Sequence, residues 1–240
     1  MRRLYAWRAS PLVGGDIDRA GLRNRVADAV REAGDLALTT FRGQPRSWIK
    51  GKSSPVSEAD LAVDALLRER LLTIRDAGWL SEETEDDPAR LQRTEVWVVD
   101  PIDGTRAYLA GLPDWTISVA LVRNGRPLIG ALYAPVTDEL FLSSAGDGAT
   151  LNGAPLHASS GHELAGASFS GAKRRLDSLA AVEPRIETRA RVPSLALRLA
   201  RVLSFRSAAQ PRLGCRAGVL LRRNLPPRAR GRSWHAWARH

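Results

Sequence analysis

The feature that most constrains this chain is the run Val96-Trp97-Val98-Val99 and the turn that follows it, Asp100-Pro101-Ile102-Asp103-Gly104-Thr105. A continuous apolar run of this type predicts a strand buried on both faces. It stops abruptly at two carboxylates three residues apart, which places two hard oxygen ligands at one sheet edge. Pro101 stiffens the turn between them, and Gly104 lets the backbone come close to a ligand. Thr105 opens a helical segment whose free amide groups suit a phosphate. Carboxylates alone repel a phosphate, but Mg²⁺ between them neutralises both partners. An Asp pair at this spacing is common in solvated turns. The flanking pattern W-x-x-D-P-I-D-G-T is what makes the metal reading specific.

The rest of the chain reads as helices packed on a substantially antiparallel sheet. Leu22, Val26, Val30, Ala33, Leu36 and Leu38 recur at helical spacing between Asp16 and Gly43. A loop, Gly51-Lys52-Ser53-Ser54-Pro55, precedes a second helix with Ser57 as N-cap and Asp60 in its first turn. Leu61, Leu66, Leu67, Leu71 and Leu72 supply its apolar stripe. Trp115 to Val122 and Pro127 to Ala134 read as strands joined at Asn124-Gly125, a strong hairpin signal. A further pair lies around Glu139 to Leu142 and Thr150-Leu151, with Asn152-Gly153 as another turn.

Three segments in this order resemble the inositol monophosphatase family. Trp97 to Thr105 is similar to its signature. Ser81-Glu82-Glu83-Thr84 is similar to its Glu-Glu segment, and Ser54-Pro55-Val56-Ser57-Glu58-Ala59-Asp60 to the segment that positions the attacking water. The resemblance covers roughly residues 20 to 203. It implies an α/β fold of the layered αβαβα kind, an α+β sandwich. It implies Glu82, Asp100, Asp103 and the Ile102 carbonyl as metal ligands, with Asp100 bridging two Mg²⁺ ions. Asp60 and Thr105 would orient the water, and the Gly104 and Thr105 amides would hold the phosphate. Within the family, Gly51 to Asp60 and Gly78 to Thr84 look closest to bacterial CysQ-type 3′(2′),5′-bisphosphate nucleotidases. The implied reaction is Mg²⁺-dependent removal of the 3′-phosphate from 3′-phosphoadenosine 5′-phosphate or a related small phosphorylated metabolite. Inositol-1-phosphate is the alternative substrate, and the resemblance allows a homodimer.

The end of the chain departs from that pattern. After Glu187 there is no Asp or Glu, and residues 188 to 240 hold thirteen Arg and no Lys. The formal charge of +10 therefore belongs to this segment, since the remainder carries 23 basic and 26 acidic side chains. That distribution argues against a nucleic-acid-binding body. No apolar run is long enough to insert in a membrane. Cys215 is the single cysteine, no secretory signal is evident, and a cytoplasmic setting follows.

The family's later Trp-Asp motif, whose Asp completes the second metal site, is absent, and the second lobe reads as truncated. Three segments result: a flexible extension over 1–15, a metal-dependent phosphatase domain over 16–203, and an Arg-rich aberrant or disordered tail over 204–240. Gln210 to Arg216 can be encoded so that a reading one base later gives Ser-Arg-Asp-Trp-Asp-Val, the missing motif. A frame lost near residue 203 is therefore favoured over a functional tail. The corresponding function of another class is a catalytically impaired product that retains only metal or phosphate binding.

Overall fold

A computed structural model describes residues 18–43, 45–50, 54–157, 164–189 and 191–204. The extension over 1–15 and, apart from Ser204, the tail over 204–240 lie outside the described residues. The chain divides into two compact units, Met1–His157 with Val192–Ala200, and Ala158–Arg191 with Arg201–His240.

The first unit opens with α1 (Arg19–Thr40), capped by the Asp18 side chain, which accepts from the Gly21 amide. Its apolar positions at helical spacing bury Leu22, Val26, Val30 and Ala33, whereas Leu38 faces solvent. A hairpin, β1 (Ser47–Lys50) and β2 (Ser54–Ser57), leads into α2 (Glu58–Ile74). Ser57 and Asp60 form a reciprocal capping box that starts α2. Val63, Leu67 and Leu71 point into the core, and Leu61 stays exposed.

The main sheet follows: β3 (Gly78–Ser81), β4 (Glu95–Asp103), β5 (Thr116–Arg123), β6 (Arg126–Ala134), β7 (Glu139–Ser144), β8 (Gly148–Leu151) and β9 (Ala154–Leu156), in that spatial order. Only β3 and β4 run parallel; the other neighbours are antiparallel. The expected Asn-Gly turns form, with positive φ at Asn124 and Gly125 and at Asn152 and Gly153. Both residues of such a turn need that backbone region, which Asn and Gly tolerate.

One face of the sheet packs on α1 and α2 through Trp97, Val99, Trp115, Ile117, Val119 and Leu121. Burying side chains of this size stabilises by about 1.5–3 kcal/mol each. The other face carries α5 (Leu195–Ser204), whose Leu197 packs with Leu132, Ala134 and Phe141. The 96–99 run is therefore not buried on both faces as its composition suggested. Trp97 and Val99 are buried, whereas Val98 on the opposite face is 37% exposed. An antiparallel neighbour and helices concentrated on one face give alternation, even where the residues are all apolar.

A short helix, α3 (Thr105–Leu109), leaves the end of β4. It is anchored by Tyr108, whose hydroxyl donates to the Ala37 carbonyl at 2.7 Å. The Tyr108 ring also packs against Phe41 and Trp115, with centroids 5.5 and 4.9 Å away. Thus the C-terminal end of α1 fixes where Thr105 stands.

The second unit contains β10 (Ser168–Ser170) paired in parallel with β11 (Glu187–Arg189), and α4 (Lys173–Val182). Ala167, Phe169 and Leu176 form its small core. Among the described residues, no helix is long and apolar enough to cross a membrane.

Candidate active site

The end of β4 brings the sequence-marked carboxylates together by a break in register. Asp100 pairs with Ser118, and Asp103 pairs with Thr116. Three steps along β4 thus match two along β5, which is a β-bulge. In a regular strand, residues three apart point to opposite faces. The extra residue puts Asp100 and Asp103 on the same face, the one that carries α5. Gly104 then adopts φ +102°, and a Cβ there would stand 3.0 Å from the Asp114 carbonyl oxygen. Glycine is required by both conformation and space.

Glu82 joins from the parallel neighbour. Its amide donates to the Val99 carbonyl at 3.2 Å, extending the β3–β4 pairing one residue beyond Ser81. Its carboxyl hydrogen-bonds Asp100. Burial, and then the charges of Glu82 and Asp103, push the Asp100 carboxyl well above its ordinary value. Such a cluster favours either protons or a cation.

Asp60 is buried at the start of α2, and its Oδ2 accepts from the Ser57 amide at 2.8 Å and the Ser57 hydroxyl at 2.5 Å. Burial raises its carboxyl above the usual range against these hydrogen bonds. The Thr105 hydroxyl lies 3.3 Å from Asp60 Oδ1 and 3.1 Å from the Ile102 carbonyl oxygen. The pair expected to handle water is therefore in contact across 45 residues of sequence.

Asp103 has partners that the sequence did not announce. Its Oδ2 accepts from the Ser194 hydroxyl at 2.5 Å and from the Ala196 amide at 2.7 Å. Ser194 is fully buried and caps α5, its Oγ accepting from the Leu197 amide at 2.9 Å. The signal was present locally as a Ser three residues before Leu197 at a helix start, but its pairing with Asp103 is a tertiary matter. Asp64, Ser81 and Thr84 were likewise missed. The Ser81 hydroxyl donates to Asp64 Oδ1 and the Thr84 hydroxyl to Asp64 Oδ2, at 2.5 and 2.6 Å.

Among the described residues, no group of three or more His, Cys, Asp or Glu side chains is gathered closely enough to hold a metal ion as it stands. The hydrogen bonds drawing Asp103 toward α5 and Asp60 toward Ser57 give a physical reason, together with mutual repulsion of the carboxylates. The donor set nevertheless fits a hard divalent cation. Three carboxylates and a backbone carbonyl supply oxygen only, and the buried Asp100 carries a like-charge burden that a cation relieves.

A layered α/β fold with Glu82, Asp100 and Asp103 about one bulged strand end is the setting of a family of phosphatases. The family model "Inositol monophosphatase family" matches residues 21–216, and the chain belongs to that family. It is 37% identical over 138 residues to the inositol-1-monophosphatase of Rhizobium meliloti, an alignment covering 56% of this chain and 51% of the relative. It is 34% identical over 128 residues to the 3′(2′),5′-bisphosphate nucleotidase CysQ of Salmonella typhimurium, covering 51% of each. The chain thus spans about half the length of the curated relatives it matches. Among solved structures, the extragenic suppressor protein suhB from Bartonella henselae superposes with a TM-score of 0.66 at 26% identity, over 76% of this chain and 75% of that one.

Proposed function

We propose that this chain derives from a Mg²⁺-dependent phosphomonoesterase acting on a small phosphorylated metabolite, the 3′-phosphate of 3′-phosphoadenosine 5′-phosphate foremost. The observation that carries this is the bulge-aligned pair Asp100 and Asp103 beside Glu82, with Asp60 and Thr105 in contact next to them. Glu82, Asp100, Asp103 and the Ile102 carbonyl would hold the cation. When bound, it supplies charge neutralisation for the phosphoryl oxygens and acidity for a water molecule.

The remaining work belongs to the chain's own residues. The Thr105 hydroxyl donates toward Asp60 or Ile102, so its lone pairs are turned to accept from a water. Asp60, whose burial favours the protonated form, is suited to receive the proton that this water loses. The Gly104 and Thr105 amides would hold the phosphate. Inositol-1-phosphate is the alternative substrate, since relatives named for each activity are similarly distant. A cytoplasmic setting and a homodimer go with this reading.

A second reading is favoured by the Asp103 hydrogen bonds to α5 and by the missing late Asp: an impaired product of a shifted frame, keeping metal or phosphate binding alone. Phosphate release by the purified 240-residue chain decides between them. Under the first reading, release from 3′-phosphoadenosine 5′-phosphate exceeds that from inositol-1-phosphate, requires Mg²⁺ and disappears in Asp100→Asn. No release, restored by an in-frame second lobe, supports the second. No release even from the frame-restored protein would refute the phosphatase assignment.

A further inference from the structure

Asp64 stands one turn beyond Asp60 on α2 and is only 7% exposed. Its two carboxyl oxygens are both engaged, by different residues of one segment. Oδ1 accepts from Ser81 and Oδ2 from Thr84. Those two residues bracket Glu82 and Glu83. Within the bracket, the Glu83 amide donates to the Ser81 hydroxyl at 3.3 Å, and the Glu82 amide is held by the Val99 carbonyl at 3.2 Å. Among the described residues, the hydrogen-bond partners of Asp64 are hydroxyls rather than cations.

The arrangement is costly unless it does something. A carboxyl taken out of water is disfavoured when no opposite charge accompanies it. An apolar residue at position 64 would pack in a buried spot on α2 without that cost. What only a forked acceptor can do is hold Ser81 and Thr84 at once. The segment between them leaves the end of β3, where the regular pairing with β4 gives way after the contact of the Glu82 amide with the Val99 carbonyl. Within this segment the Glu82 carboxyl meets Asp100.

We propose that Asp64 is a positioning residue that fixes the Ser81–Thr84 segment through its two hydroxyl contacts and so presents Glu82 to the cation shared with Asp100. This rests on the assignment of Glu82 and Asp100 as metal ligands made above. Outer partners of ligating carboxylates commonly govern metal affinity by about 10–100-fold.

The test is a Mn²⁺ titration of the purified 240-residue chain, followed by the electron paramagnetic resonance signal of free Mn²⁺, which needs no turnover. Asp64→Ala should weaken binding by about 10–100-fold. In a Glu82→Gln background the same change should weaken it no further, because Asp64 acts through Glu82. Thr84→Val should weaken binding and Thr84→Ser should restore it. Far-UV circular dichroism reports folding, and if Asp64→Ala does not fold, the Thr84 pair decides. Parent-like binding in Asp64→Ala, or an undiminished loss in the Glu82→Gln background, overturns the proposal. Should Asp100→Asn bind Mn²⁺ as well as the parent, the ligand assignment itself fails, and the positioning role falls with it.

Discussion

Gly104 carries the tightest local constraint in the site. At φ +102° a side chain is strained, and a Cβ would stand only 3.0 Å from the Asp114 carbonyl oxygen. Gly104→Ala should cost about 1–3 kcal/mol of stability, visible as a lower urea midpoint with unchanged slope. Asp100 works in the opposite sense. Its buried carboxyl lies among Glu82, Asp103 and Asp60, so the chain without a divalent cation is destabilised by its own charges. Asp100→Asn should therefore raise the melting temperature in chelator, a gain of about 1 kcal/mol, and should abolish the rise that Mg²⁺ gives the parent. Differential scanning fluorimetry with and without Mg²⁺ reads both effects. At this scale the sequence was legible where chemistry and position coincide in a short motif, as in Asp100 to Thr105. It was silent on Ser194 and Asp64, whose partners lie 91 and 17–20 residues away. No local spacing encodes those meetings.

The elements are joined at the far end of β4 by an ion triad. Glu95, nearly buried, accepts from Arg75 at the end of α2 and from Arg123 at the end of β5, both at 2.6 Å. Burial, the largest single influence, pushes the Glu95 carboxyl up, but the two guanidinium groups outweigh it and hold it below its ordinary value. A carboxyl depressed in the folded state stabilises above its unfolded pKa. That contribution is lost as pH falls through the lower folded value. Acidification below about pH 4.5 should thus erode stability, and Glu95→Gln should flatten that part of the profile while costing about 2–4 kcal/mol at neutral pH. Chemical denaturation across pH 3 to 7 tests both. The hairpins were readable here because Asn-Gly pairs announce positive φ. The β1–β2 pair and the three-residue strands β10 and β11 were not, being too short to show a period.

Across the whole molecule, the family match runs from residue 21 to residue 216 and so reaches into the basic end, which stands apart in composition. The frame hypothesis makes a prediction that needs no protein at all. The coding DNA across Arg212 to Cys215 should read as Asp-Trp-Asp-Val one base later, and sequencing that stretch checks it. A frame-restored chain should also melt higher and bind Mn²⁺ more tightly than the chain as given. Helical and strand periods made helices on a largely antiparallel sheet legible, whereas the layered α/β class came from the resemblance of the three motif segments to a known family. The one-sided burial of β4 was not, because an all-apolar run hides which face the helices cover.

The bulge between Asp100 and Asp103 makes the site a matter of parity. Substitution can change what stands at those positions but not which side of the sheet they face. Regular pairing with every residue kept would leave Asp103 three steps from Asp100 and turn it to the opposite face, whereas deleting one residue between them would make the separation two and keep the pair on one face. Loss of the bulge without loss of a residue is thus the change that spares the composition and removes the centre.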